Sequence, residues 1–319
     1  MKHCRAGGTG TTLFGEQFRA VTAGKEGVME AYETFPGIEV SFNVFLASEI
    51  KFQHDASDSV LEIYYCRSGR VGWNMQDGTA VYLGTGDVTA HSMACCADSA
   101  MMFPLGYSEG ISISVDLKQL SSICPEVLKN AGVEADQLRD RFCSGKPSAI
   151  PSCSDLEHIF APLFSAPVSV RISLLKLKVL EILIYLSNMK SEHKELTQYF
   201  SQQTELIKEI HQQLTEHLDQ RFTIAELSKQ YLINTSTLKE IFKAVYGQPI
   251  ATYMKEFRVR QAMKLLRETN DTIADIASQV GYQTQGKFSS AFQSIVKMSP
   301  REYRKIQGIA PSDSFSKTL

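Results

Sequence analysis

The chain has 319 residues, 43% of them apolar and 21% charged, which is long for a single core and sets two domains as the expectation. Its most apolar stretch, "ISLLKLKVLEILIYL" (172–186), is interrupted by Lys176, Lys178 and Glu181 and is too short to cross a bilayer, so no membrane role is expected. The net charge of −2 conceals a division: residues 1–200 hold 17 Lys and Arg against 23 Asp and Glu, residues 201–319 hold 16 against 12, and residues 234–305 hold 12 against 6. A basic back half behind an acidic front half points to a polyanionic partner for the back half alone.

The start, "MKHCRAGG", has no apolar core of a secretory signal. Seven cysteines (4, 66, 95, 96, 124, 143 and 153) all lie in the first half, odd in number and without C-x-x-C spacing. Free thiols and a reducing, cytoplasmic setting are the expectation.

Residues 30–117 read as β-structure. "GIEVSFNVFL", "VLEIYYCRSG", "RVGWNM", "AVYLGTGDVTAH" and "GISISVDL" are rich in Val, Ile, Tyr and Phe and are punctuated by Gly, Asp and Ser, as in a small antiparallel barrel or sandwich. Asp-Gly in "MQDGTAVY" predicts a hairpin. Residues 118–165 read as mixed and helical, with 144–154 as a loop. From 169 to 187, Val170, Leu174, Leu177, Leu180, Leu183 and Leu186 recur at helical spacing. That stripe either forms a dimer helix or packs on the barrel of its own chain. The polar run 187–198 reads as a linker. The expected organisation is α+β: an N-terminal antiparallel β-barrel domain with following helices (1–165), a helical dimerisation and linker region (166–199), and an all-α domain (200–319).

The all-α part repeats itself. "TIAELSKQY" (223–231) matches "TIADIASQV" (272–280) at an offset of 49. Past the turn the offset is 50, pairing Leu238 with Phe288, Phe242 with Phe292 and Tyr253 with Tyr303. Each copy reads as helix, turn, helix, with Asn234 and Thr284 before the second helix and Gly247 closing the first copy. Gly281 suits a turn that needs positive φ. In "GYQTQGKFSSAF" (281–292) the two phenylalanines anchor one helix face, and the other carries only Gln, Gly, Lys and Ser. A solvated surface helix would carry Glu and Lys in mixed order. Small hydrogen-bonding side chains suit a helix entering a DNA major groove about 12 Å wide. Between the copies "IATYMKEFRVRQAMKLLRET" (250–269) is long enough to place two reading helices about one turn of DNA apart.

On "TIAELSKQY…LKEIFK…YG" and "RVRQAMKLLRETNDTIADIASQVGYQTQGKFSSAFQSIVKMSPREYR", residues 200–306 resemble the DNA-binding domain of the AraC family of bacterial transcription regulators. The resemblance implies a regulator, not an enzyme, that needs no cofactor and works with double-stranded promoter DNA and RNA polymerase, as an activator or a repressor, while a homodimer through 169–187 stays one of the two readings of the apolar stripe. It implies base contacts from Ser236, Thr237, Lys239 and Glu240 and from Gln285, Gly286, Ser289 and Ser290, with Lys243, Lys287 and Arg304 on phosphates. Two residues depart from the family pattern: Lys297 stands where Gly is usual, and Glu240 either accepts from a cytosine amino group or points away.

The front half resembles the cupin-like sensor of that family through its strand rhythm and "GTGDV". The resemblance implies a small-molecule effector, with His54, Glu62, Trp73, His91 and Cys95 as candidate ligand contacts. Two alternatives stand beside it. One is a cupin-type metal enzyme with a DNA-binding tail, using His54, Glu62 and His91, although a paired H-x-H is lacking. The other is a thiol redox or soft-metal sensor in "HSMACCADSAMMFP" (91–104), where Cys95 and Cys96 on a strand would face opposite ways. Ordinary core packing accounts for the same residues.

Overall fold

A computed structural model describes residues 2–5, 9–11, 17–22, 27–53, 57–96, 100–143, 147–189 and 195–307. The chain is α+β and divides into two compact units, Met1–Gln202 and Gln203–Leu319.

The first unit carries β1 (Lys2–Arg5), β2 (Thr9–Thr11), β3 (Gln17–Thr22), β4 (Gly27–Phe35), β5 (Ile38–Phe45), β6 (Glu49–Gln53), β7 (Val60–Gly69), β8 (Val71–Asn74), β9 (Thr79–Leu83) and β10 (Val88–Ser92). They are followed by β11 (Ala100–Met102), β12 (Ser108–Asp116), β13 (Ser148–Ile150) and β14 (Tyr199–Phe200). One antiparallel sheet has the order β1-β4-β5-β12-β7-β10-β13, the other β14-β9-β8-β11-β6-β3-β2. The period-two alternation of β7 sets the layering. Leu61, Ile63 and Tyr65 pack into the core under the helices, while Tyr64 and Cys66 turn to the inner face and meet Val71, Trp73, Val81 and Met101 of the second sheet. The expected hairpin joins β8 to β9, with Gly78 at φ 80° and the Met75 N–H donating to the Thr79 carbonyl at 2.7 Å. "GTGDV" is held by Asp87, whose carboxylate accepts from the backbone N–H of Gly84 (2.7 Å) and of Ser152 (2.9 Å).

Helices α1 (Leu117–Ser122), α2 (Glu126–Asn130), α3 (Ala135–Phe142), α4 (Ser154–Ser165) and α5 (Arg171–Asn188) cover the other face of the first sheet. The buried side of α5 is Leu175, Val179, Ile182, Leu183 and Leu186, packed on its own β-structure. The expected stripe is therefore rotated: Val170 is 48% and Leu177 64% exposed.

Four local expectations are corrected. Strands begin before residue 30, with β1 to β3 pairing onto β4 and β6. The expected loop 144–154 contains β13, which pairs with β10. Residues 195–198 of the expected linker are docked rather than free. The Leu196 N–H donates to Ala149 and the Gln198 side chain to Pro147, both at 2.7 Å, and β14 then pairs with β9. Met93–Cys96, expected to be extended, is one turn of 3-10 helix.

The second unit is helical throughout: α6 (Ser201–Glu216, entering from the first unit), α7 (Ile224–Gln230), α8 (Thr235–Tyr246), α9 (Ile250–Glu268), α10 (Ile273–Gln279), α11 (Gln285–Val296) and α12 (Pro300–Gln307). The repeated "TIAE/TIAD" is a repeated capping box. Thr223 and Glu226 cap α7, and Thr272 and Asp275 cap α10, each pair exchanging side-chain to backbone bonds of 2.7–3.2 Å. The second copy buries Phe288, Phe292 and Tyr303 against Val259, Ala262 and Leu266 of α9. In the first, Leu238, Phe242 and Tyr253 are buried equivalently.

Candidate nucleic-acid interface

Both second helices are anchored on one side and open on the other. Asn234 caps α8 by accepting from the Thr237 N–H at 2.8 Å, and Thr284 caps α11 by accepting from the Lys287 N–H at 3.3 Å. Gly247, at φ 82°, ends α8 in the left-handed region. At the matching end of α11 stands Lys297, which takes φ 64° and the same closing bond, to Gln293 at 3.0 Å. The departure from Gly therefore leaves the helix end unchanged and adds backbone strain.

The same comparison explains the turns. Leu232, at φ 52°, occupies in the first copy the place that Gly281, at φ 81°, holds in the second. Leu232 tolerates it with its side chain 94% exposed. At Gly281 any Cβ would collide with the Leu218 carbonyl oxygen, so here glycine answers both to φ and to close approach.

On α8, Ser236, Lys239, Glu240 and Lys243 are exposed and Thr237 is half-buried. Ser236 donates to the Asn234 side chain at 2.7 Å, which ties its hydroxyl into the cap. On α11, Gln285, Gly286, Lys287 and Ser290 are exposed and Ser289 is half-buried. Gln293 and Ser294, one turn further on, are also exposed and extend that face beyond the residues expected from sequence. Apart from its own helix, no atom of the described residues lies within 4 Å of where a Gly286 Cβ would stand. No packing requirement inside the protein calls for glycine there.

Arg304, expected on a phosphate, is half-buried and donates to the Asp271 carbonyl at 2.7 Å, holding the loop before α10. Arg301 and Lys305, one turn apart on α12, are the exposed cations of that helix. Arg258 does for the first copy what Arg304 does for the second, donating to the carbonyls of Leu218 and Gln220, both at 3.2 Å.

Of the candidate ligand contacts in the first unit, His54 lies outside the described residues. Glu62 and His91 are direct cross-strand partners on β7 and β10, and Trp73 packs edge-on to Tyr64 (5.1 Å between centroids) and to His91 (6.4 Å). Cys95 sits beside this group, its sulfur 3.2 Å from the Ser92 hydroxyl. Burial pushes the Cys66 and Cys143 thiols up to about 12, keeping both protonated and weakly nucleophilic at neutral pH. Among the described residues no three His, Cys, Asp or Glu side chains converge as a metal ion would require, and no helix is long and apolar enough to cross a membrane.

Two capped helix-turn-helix units joined by a 19-residue helix define a DNA-binding domain of the helix-turn-helix class. The family model described as "Helix-turn-helix domain" matches residues 227–306. An AraC-like transcription regulator of Streptomyces lividans is 39% identical over 84 residues, 26% of this chain and 28% of that one. The HTH-type transcriptional activator RhaR of Mannheimia succiniciproducens is 34% identical over 91 residues, 28% of this chain and 33% of that one. The C-terminal domain of AraT, a response regulator from Geobacillus stearothermophilus, aligns with 35% of this chain and 93% of its own at 26% identity and a TM-score of 0.33. The chain spans about a third of the length of the curated relatives it matches. Residues 227–306 are thus similar to the helix-turn-helix DNA-binding domains of AraC-like transcription regulators.

Proposed function

We propose that the chain is a sequence-specific regulator of transcription whose promoter binding responds to a small ligand held between the two sheets of the first unit. The reading rests above all on Gly286. Glycine within a helix costs up to about 0.5–1 kcal/mol relative to alanine, the upper figure applying to helix interiors. Nothing inside the chain returns that cost, whereas a groove wall approaching the helix backbone would. Gln285 reads a base edge from the same turn, Ser289 and Ser290 contact further bases, and Lys287 and Lys243 neutralise phosphates. Ser236, Thr237, Lys239 and Glu240 read the neighbouring groove. At 1.5 Å per residue α9 is about 28 Å long, near the pitch of DNA.

The proposed division is a sensor domain (1–165), a helical region (166–199) that dimerises through the exposed side of 169–187, and the DNA reader (200–319). RhaR bears the name of a transcriptional activator, and activation through RNA polymerase in the cytoplasm is the proposed mode. The test is recovery of genomic fragments by the purified protein at near-physiological salt, followed by substitution. Gln285→Ala should relax preference at one or two base pairs. Lys287→Ala should weaken all sequences alike and reduce the salt slope by about 1. A Gln285→Ala protein with unchanged base preference would remove α11 as the reading helix.

A further inference from the structure

The inner face of the first sheet carries polar side chains in register where the second sheet opposite is apolar. Glu39, Ser114, Glu62 and His91 are successive cross-strand partners on β5, β12, β7 and β10, and Ser41, Ser112, Tyr64 and Thr89 form the next row. Trp73 and Met101 come from the second sheet. Among the described residues, two of the unpartnered polar groups of this wall bear on its occupant. The Thr89 hydroxyl is fully buried and unbonded, and Asn43, one row beyond Ser41 on β5, donates to Ser112 at 2.7 Å but leaves its carbonyl oxygen unused. Buried polar atoms left this way cost free energy unless something placed between the sheets bonds them.

Glu62 settles the sign of that occupant. It lies deep in the protein, bonded to the Ser114 hydroxyl and with the Glu39 carboxylate as a like-charged neighbour. Glu62 is half-buried, and the period-two alternation of β7 puts it on the inner face with Tyr64 and Cys66. An anion would gain no counter-charge from a protonated Glu62 and would be repelled by an ionised one. A cation would supply the counter-charge that a buried carboxylate needs to ionise.

Building on the reading of this unit as a ligand chamber, we infer that the inner face binds a small organic cation, a primary ammonium or guanidinium on an apolar body, with its charge on Glu62 and its body against Trp73 and Met101. An indole face adds a cation–π contribution to such a ligand. Desolvation holds the Glu62 carboxyl at about 8, so the acid is largely protonated at neutral pH in the free protein. Binding then moves that proton from the carboxyl to buffer and leaves a carboxylate–ammonium pair.

Trp73 is the only tryptophan, so its emission reports on this site alone. The full chain is titrated with 2-phenylethylamine, hexylamine and agmatine, and with 2-phenylethanol, hexanol and phenylacetate as neutral and anionic counterparts. At least one amine should change Trp73 emission saturably at millimolar concentration or below, with proton release detectable as buffer-dependent heat, while its counterparts do not. Glu62→Gln should weaken that amine by at least about tenfold. Gln is close in shape to the protonated acid, and unchanged circular dichroism checks that the variant is folded. Silence from every amine, equal binding of alcohol and amine, or full affinity in Glu62→Gln overturns the inference. Promoter binding in the same samples separates the two readings. An amine that binds through Glu62 without changing DNA affinity sustains the site and removes the regulation. DNA affinity that responds to a neutral metabolite in the Glu62→Gln protein removes the cation and keeps the regulation.

Discussion

Acid should weaken the DNA-binding unit through one imidazole. His211 of α6 stacks on Tyr246 (4.2 Å between centroids, 13° between planes), meets Phe257 edge-on, and shares a hydrogen bond of 2.9 Å with the Tyr253 hydroxyl. Desolvation in this aromatic box lowers its pKa from 6.5 to about 4. The unfolded chain therefore takes up a proton first as the pH falls, so the contribution of His211 to stability is full above about 6.5 and declines toward a floor near 4. Between pH 7 and pH 5 the loss is about 2 kcal/mol, and about 3 kcal/mol below pH 4. That is a sizeable part of the stability of a small domain. The assay is urea unfolding followed by helical circular dichroism at the two pH values, on the native chain and on His211→Phe. The phenylalanine keeps the stacking and removes the titration. Carboxylates contribute equally to both proteins, so the difference between the two pH effects isolates His211. Equal losses in both proteins would refute the argument.

Three further outcomes are expected. Gly286→Ala should leave the melting temperature of the free protein unchanged or slightly higher and lower its affinity for the recovered promoter fragments, two effects of opposite sign that a merely structural glycine would not give. Leu232→Gly and Lys297→Gly should each stabilise the second unit by about 0.5–1 kcal/mol in the same urea assay, because each relieves a left-handed side-chain residue, and Lys297 gives up only an exposed bond to the Ser294 carbonyl. Gly281→Ala should instead destabilise it by more than about 2 kcal/mol, since strain adds to the clash with the Leu218 carbonyl, and a neutral result would disprove the close approach.

What sequence made legible was mostly local. The capping boxes, the αL closures and the buried Phe288 and Phe292 each follow from residues within a few positions of one another, and a duplicated unit displays each of them twice. Strand alternation in β5, β7 and β12 was equally plain. The failures are tertiary. "SAI" in β13 is three residues between prolines, and only the edge of β10 makes it a strand. The phase of α5 is not legible in sequence because apolar residues occupy nearly every position from Leu174 to Leu186, so several stripes fit the spacing and the packing partner chooses among them. Arg304 looks like a surface cation in sequence, and nothing in "SPREYRK" says that its guanidinium turns inward to Asp271. In the first unit, Glu62, Trp73 and His91 were identifiable as chemistry-bearing residues. That they share one interior with Thr89 and Asn43 depends on register between strands far apart in the chain.

Helices α8 and α11 are tied by more than α9. Arg258, midway along α9, donates to the carbonyls of Leu218 and Gln220 in the loop before α7, and its Nε lies against Gly281 in the turn before α11. The Leu218 carbonyl also faces Gly281 directly. One guanidinium and one carbonyl thus touch the first copy, the connecting helix and the second copy together. A long helix alone would fix the separation of α8 and α11 but leave bending and twist soft. The node at Arg258 adds a second point of attachment off the helix axis, and two attachments fix an orientation where one does not. Arg258 also lies in a partly buried setting where desolvation opposes its charge, so the carbonyls it bonds are what retain the guanidinium there. On the proposed reading of two neighbouring grooves, Arg258→Ala should blur the preference for half-site spacing before base preference within a half-site, which binding to fragments of altered spacing measures.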